Sequence, residues 1–163
     1  MPIFLPGKFV GCDAVHRACH YFRKIVKPED RLHIADPNIV APVPMMILGD
    51  AGDSACATLR VDPVKVRRFV KNYPNMCWAT HISKGRAVYV PVNYPYHTRS
   101  HWCGVVMWRR GDEHLVRVYN SMKTYLPNDM KVAKMVCEVV RVMNPKLGTV
   151  KFKFFANDNH VEQ

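Results

Sequence analysis

AVYVPVNYPYHTRSHWCGVVMWRRGDEHLVRVYNSM, running from Ala87 to Met122, decides the fold of this 163-residue chain. Ala87–Val92 is rich in the β-branched and aromatic residues that suit a pleated strand. Trp102–Trp108 is almost continuously apolar, the pattern of a strand buried on both faces. Leu115–Tyr119 follows after Arg110-Gly111-Asp112-Glu113, which carries the Gly and Asp of a tight turn. The last two runs therefore predict an antiparallel hairpin.

Working outward, the flanks read as helices. Asp13 is placed to cap a helix whose Ala14, Val15, Ala18, Cys19 and Phe22 share one face, and Pro28 closes it. Residues 28–58 are rich in Pro and Asp and read as a long loop with room for a short strand or turn, their one apolar piece being Val43 to Leu48. Asp62-Pro63 is a cap followed by a first-turn proline, and Val66, Phe69 and Val70 give the helix it starts a buried stripe. From Asn128, the spacing of Met130, Ala133, Val136, Cys137, Val140 and Met143 is helical until Asn144-Pro145. Val150–Phe155 reads as a final strand. Helix, loop, helix, three strands, helix and strand make an α+β chain with a mostly antiparallel central sheet, in one domain over 1–163.

Composition narrows the setting. With 48% hydrophobic residues the chain can build a core, so disorder throughout is excluded. A net charge of +11 favours acidic partners, nucleic acid among them, although the basic residues are scattered and cluster only as pairs such as Arg67-Arg68 and Arg109-Arg110. The six cysteines lack C-x-x-C spacing and read as reduced thiols, which predicts an intracellular protein of the nucleus or cytoplasm. No apolar run approaches membrane length, no metal-ligand spacing is present, and no Gly-rich phosphate loop occurs. Neither a membrane partner nor a cofactor is expected.

Two residues carry candidate chemistry. His101 stands at the mouth of a strand and Asn120 at the end of its neighbour, 19 positions apart, so a hairpin brings them together. An asparagine amide can hold an imidazole in one tautomer, which is part of a nucleophilic catalytic site. Read alone, the same pair is equally a surface-turn histidine and a turn-forming asparagine. Trp102 can wall one side of a cleft. Tyr94 and Tyr96, in the loop before His101, lie where a substrate would pass, or else simply stiffen a turn.

The ordered set Val90-Pro91-Val92-Asn93, His101-Trp102 and Tyr119-Asn120-Ser121 resembles the signature of the ubiquitin-like-protein-specific cysteine proteases. These are the SUMO-deconjugating enzymes related to adenovirus protease, whose pattern is P-x-N, His-Trp, a strand and Y-D-S. Phe9 to Val15 is similar to a weakened form of their W-L-x-D-x-x-I helix start. The resemblance implies a papain-like or adenain-like α+β fold, its sheet flanked by helices, here lacking the nucleophile helix.

It further implies that His101 is the general base and that Asn120 stands where the family has Asp, orienting the ring without lending it charge. Gln163 is either the oxyanion-hole glutamine, with the nucleophilic cysteine beyond it, or a terminal residue of no such role. The implied partner is a ubiquitin-like protein or another protein substrate, and the implied activity is thiol-dependent proteolysis, weak or absent in this chain alone. Cys12 at a helix start is a remote substitute nucleophile. Cys103 is on the same strand as His101, whereas Cys19 and Cys137 read as core. The contrasting expectation is a non-catalytic basic module derived from the same fold, seated in an assembly that contains nucleic acid.

Overall fold

A computed structural model describes residues 12–35, 47–48, 60–74, 77–96, 99–120, 126–147 and 150–155. Helix α1 (Cys12–Ile25) leads through a 3-10 turn (Pro28–Asp30) into strand β1 (Leu32–Ile34). A small ladder pairs β2 (Ile47–Leu48) with β3 (Arg60–Val61). Helices α2 (Pro63–Asn72) and α3 (Trp78–Ser83) precede the long strands β4 (Ala87–Tyr96), β5 (Arg99–Arg110) and β6 (Glu113–Tyr119). Helix α4 (Leu126–Met143) and strand β7 (Phe152–Phe155) complete the order. The main sheet runs β1-β4-β5-β6-β7.

Local chemistry accounts for most of these elements. The Asp62 carboxylate accepts from the backbone N–H of Val64 at 2.9 Å and of Lys65 at 3.2 Å, capping α2 in front of Pro63. Val66 and Phe69 of that helix are buried, as their spacing predicts. On α4 the buried stripe is broader than expected, taking in Val132 and Val139 beside Ala133, Val136, Cys137 and Val140. Gly111, at φ +59°, supplies the left-handed step of the β5–β6 turn. Facing α2, α3 and α4, the sheet presents Val88, Val90 and Val92 from β4 and Cys103, Val105 and Met107 from β5, and this layer is the core.

The sheet is mixed rather than mostly antiparallel. β4–β5 and β5–β6 are antiparallel, but β1–β4 and β6–β7 are parallel, because both outer strands return by way of helices. β5 is fully buried on one face only. On the other, Trp102, Val106 and Trp108 are half-buried, and Gly104 lacks a Cβ that would sit 2.5 Å from Cε2 of the Tyr89 ring. Within 28–58 the expected loop contains β1, and Ile47–Leu48 is the short strand its apolar piece had room for. Residues 36–46 and 49–58 of that tract lie outside the described residues.

α1 also departs from expectation. It begins at Cys12, with Asp13 inside its first turn rather than before it. Cys19 is buried, but Phe22 is 51% exposed, on a helix that packs against the sheet margin at β1.

Candidate functional site

The β5–β6 ladder places the expected pair. Gly104 lies opposite Tyr119 in the last matched positions, so Asn120 follows directly where β6 ends, at the level of Cys103. His101 is two positions further along β5, one pleat repeat away. On β5's other side, His101 is opposite Tyr94 and Trp102 is opposite Asn93. Thus β4, β5 and the end of β6 bring positions 94, 101, 102 and 120 to one end of the sheet.

Two details correct the sequence reading. β4 extends to Tyr96, so Tyr94 and Tyr96 belong to a strand and not to the loop before His101. β5 begins at Arg99, which makes His101 its third residue rather than the position before it. Cross-strand pairing to β5 overrides the Pro95 that marks a loop locally. Trp102 is half-buried. Gln163, Ser121, Cys56 and the Phe9-Val10-Gly11 part of the N-terminal match lie outside the described residues.

Four of the described thiols lie in the protein interior. Cys19, Cys77, Cys103 and Cys137 are buried and are not in disulfides. Burial pushes the Cys137 thiol up to about 12, partly opposed by Arg141 and reinforced by Glu138. Cys12 starts α1, on the β1 side of the sheet, two strands away from β5. Among the described residues, no cluster of His, Cys, Asp or Glu could hold a metal ion. No described helix is long and apolar enough to cross a membrane.

Folding also creates a feature that reading along the chain missed. Trp108 of β5 stacks near Phe155 of β7, with centroids 6.1 Å apart and planes at 22°. Arg117 of β6 lies 6.0 Å, and Lys153 of β7 5.9 Å, from the same Phe155 ring. Tyr119 adds a ring that is 46% exposed. Cations and aromatic faces therefore interleave across three strands on the sheet face away from α2, α3 and α4. The available signal was Lys151-Phe152-Lys153-Phe154-Phe155, in which basic and aromatic residues already alternate.

On the opposite face, His114 is buried edge-on against Phe152 at 5.8 Å. Desolvation, then Arg109, lowers its pKa, while a hydrogen bond with the Asp112 backbone opposes the shift. Compared with protein-family models and with curated proteins, the chain matches none of them.

Proposed function

We propose that this chain is a cysteine-type peptidase domain of the ubiquitin-like-protease kind, acting on the C-terminal tail of a ubiquitin-like protein. The observation that carries the reading is the β5–β6 register, which ends the ladder with Asn120 beside the strand that bears His101. In the proposed reaction the His101 imidazole takes the proton of a cysteine thiol. The thiolate attacks the scissile carbonyl carbon, and the imidazolium returns that proton to the departing amine. Asn120 orients the ring, Trp102 borders the path of the tail, and Gln163 is the proposed oxyanion donor. The thiol is not assigned to any described cysteine.

An asparagine leaves the imidazolium without a counter-charge, and this gives a direct test. Asn120→Asp should raise the His101 titration midpoint by about 1 pH unit, read by NMR, since a carboxylate beside an imidazole favours its charged form. An unmoved midpoint means that the two side chains do not meet, and the proposal fails. The 163-residue chain itself should not measurably hydrolyse a fluorogenic ubiquitin-like C-terminal amide. Turnover that persists in Cys12→Ala would overturn this account of the nucleophile.

The interleaved face of Trp108, Arg117, Tyr119, Lys153 and Phe155 favours a second reading, a non-catalytic module that binds nucleic acid. Stacked bases and phosphates suit such a surface, and the charge of +11 adds attraction. Affinity for a thymidine oligonucleotide should then fall steeply with salt and weaken in Arg117→Ala. Binding that ignores both salt and this substitution counts against it.

A further inference from the structure

At the opposite edge of the sheet, a cavity of about 340 Å³ opens beside β1. Four cationic side chains line it: Arg23 of α1, Lys27 and Arg31 flanking the 3-10 turn, and Arg86 just before β4. His33 of β1 completes the polar wall, and among the described residues no carboxylate contributes to the lining. The nearest acid in sequence, Asp30, is engaged locally, accepting the Lys27 backbone N–H at 2.8 Å.

Three further observations indicate a built site rather than scattered surface charge. The Arg23 guanidinium is anchored, its Nε donating to the Ile34 carbonyl at 2.9 Å. Arg31 is held at φ +49°, the one described non-glycine residue in the left-handed region, where glycine would fit without strain. His33 has a buried Nε2 with no hydrogen-bond partner among the described residues. Its ring lies flat on His81 of α3, centroids 3.7 Å apart and planes at 10°. Burial first, then His81, Arg23 and Arg86, keep this imidazole neutral. Like charges gathered in one cavity repel unless something of opposite sign joins them.

We propose that this cavity binds a phosphate group. Its charge answers the four cations, and its several oxygens can accept from donors arriving from different directions, which a planar carboxylate cannot match. The volume admits the phosphate together with part of an attached sugar. The group can come from a free phosphate or from a polynucleotide backbone. The site is independent of the peptidase reading, since it uses none of that reading's residues.

The test is an NMR titration of the isotope-labelled full chain in phosphate-free buffer, with inorganic phosphate in one arm and a thymidine oligonucleotide in the other. Saturable shifts at His33 and Arg86, with a rise in the His33 titration midpoint, are expected in at least one arm. A response to inorganic phosphate identifies a site for free phosphate. A response to the oligonucleotide alone identifies a backbone site. Arg31→Gly should keep or raise Tm, because glycine adopts positive φ freely, yet weaken binding about tenfold through loss of one charge-assisted contact. The exposed Arg86→Gln should weaken it similarly. Silence in both arms, or binding unchanged in both variants, overturns the proposal.

Discussion

Trp78→Ala should cost about 3–5 kcal/mol, a large share of the roughly 5–15 kcal/mol that holds a domain of this size together. Trp78 is the largest fully buried side chain described, at 0% exposure, and it opens α3 where that helix meets the core. Removing its ring leaves a void between α3, α4 and the sheet that neighbouring valines are too short to fill. The indole Nε1 is buried without a described partner, which makes Trp78→Phe informative. That variant loses contact area but also removes an unsatisfied donor, so its cost should be only about 1 kcal/mol. Urea unfolding followed by far-ultraviolet circular dichroism gives both values. A Trp78→Ala cost below about 1 kcal/mol would mean that the ring does not occupy the core as described.

Mild acid should be the second large perturbation. His33 titrates near 4 in the folded chain against an ordinary 6.5. Between those values the unfolded chain binds a proton that the folded chain refuses, so stability drains as pH falls. Above about pH 6.5 the contribution is complete; below about 4 both states are protonated and the loss levels off. After allowance for solvent screening of a partly exposed ring, the loss is on the order of 2 kcal/mol. His114 adds to it in the same direction. Carboxylates also titrate in this range, but they are common to wild type and His33→Gln, so the difference between the two stability curves isolates the imidazole. Parallel curves from pH 7 to 4, in phosphate-free buffer, would show that His33 is not held neutral by its surroundings.

What could be read in the chain, and what could not, follows from the range of the interactions. Asp62-Pro63 with Val66 and Phe69 and the turn at Gly111-Asp112 are decided within a few residues and appear as expected, as does the helix at α4, although its buried stripe is broader and leaves Met130 exposed. β1 is only Leu32-His33-Ile34, inside a Pro-rich tract, and becomes a strand because β4 offers it a partner. α3 has six residues, too few to display a period, and its burial of Trp78 and Ile82 comes from packing.

Whether an outer strand lies parallel or antiparallel depends on how the intervening chain returns, which the strand's own letters do not encode. The same holds for the sites. His101 and Asn120 flank one hairpin, so their placement at the same end of the sheet could be anticipated. The basic cavity draws on α1, β1 and the entry to β4, and the aromatic–cation face draws on β5, β6 and β7; neither exists until distant segments meet.

The two kinds of strand pairing also order the assembly of the molecule. β4, β5 and β6 are joined by short turns and can zip together early, whereas Leu32 must find Ala87 across 55 intervening steps of chain, and His114 must find Phe152 across 38. Contact order therefore makes the central meander the expected nucleus, with β1 expected to join late, once α2 and α3 close the path between them. The arginine-lined cavity belongs to that late step, so a captured anion would act as a latch on the finished fold and leave its nucleus untouched.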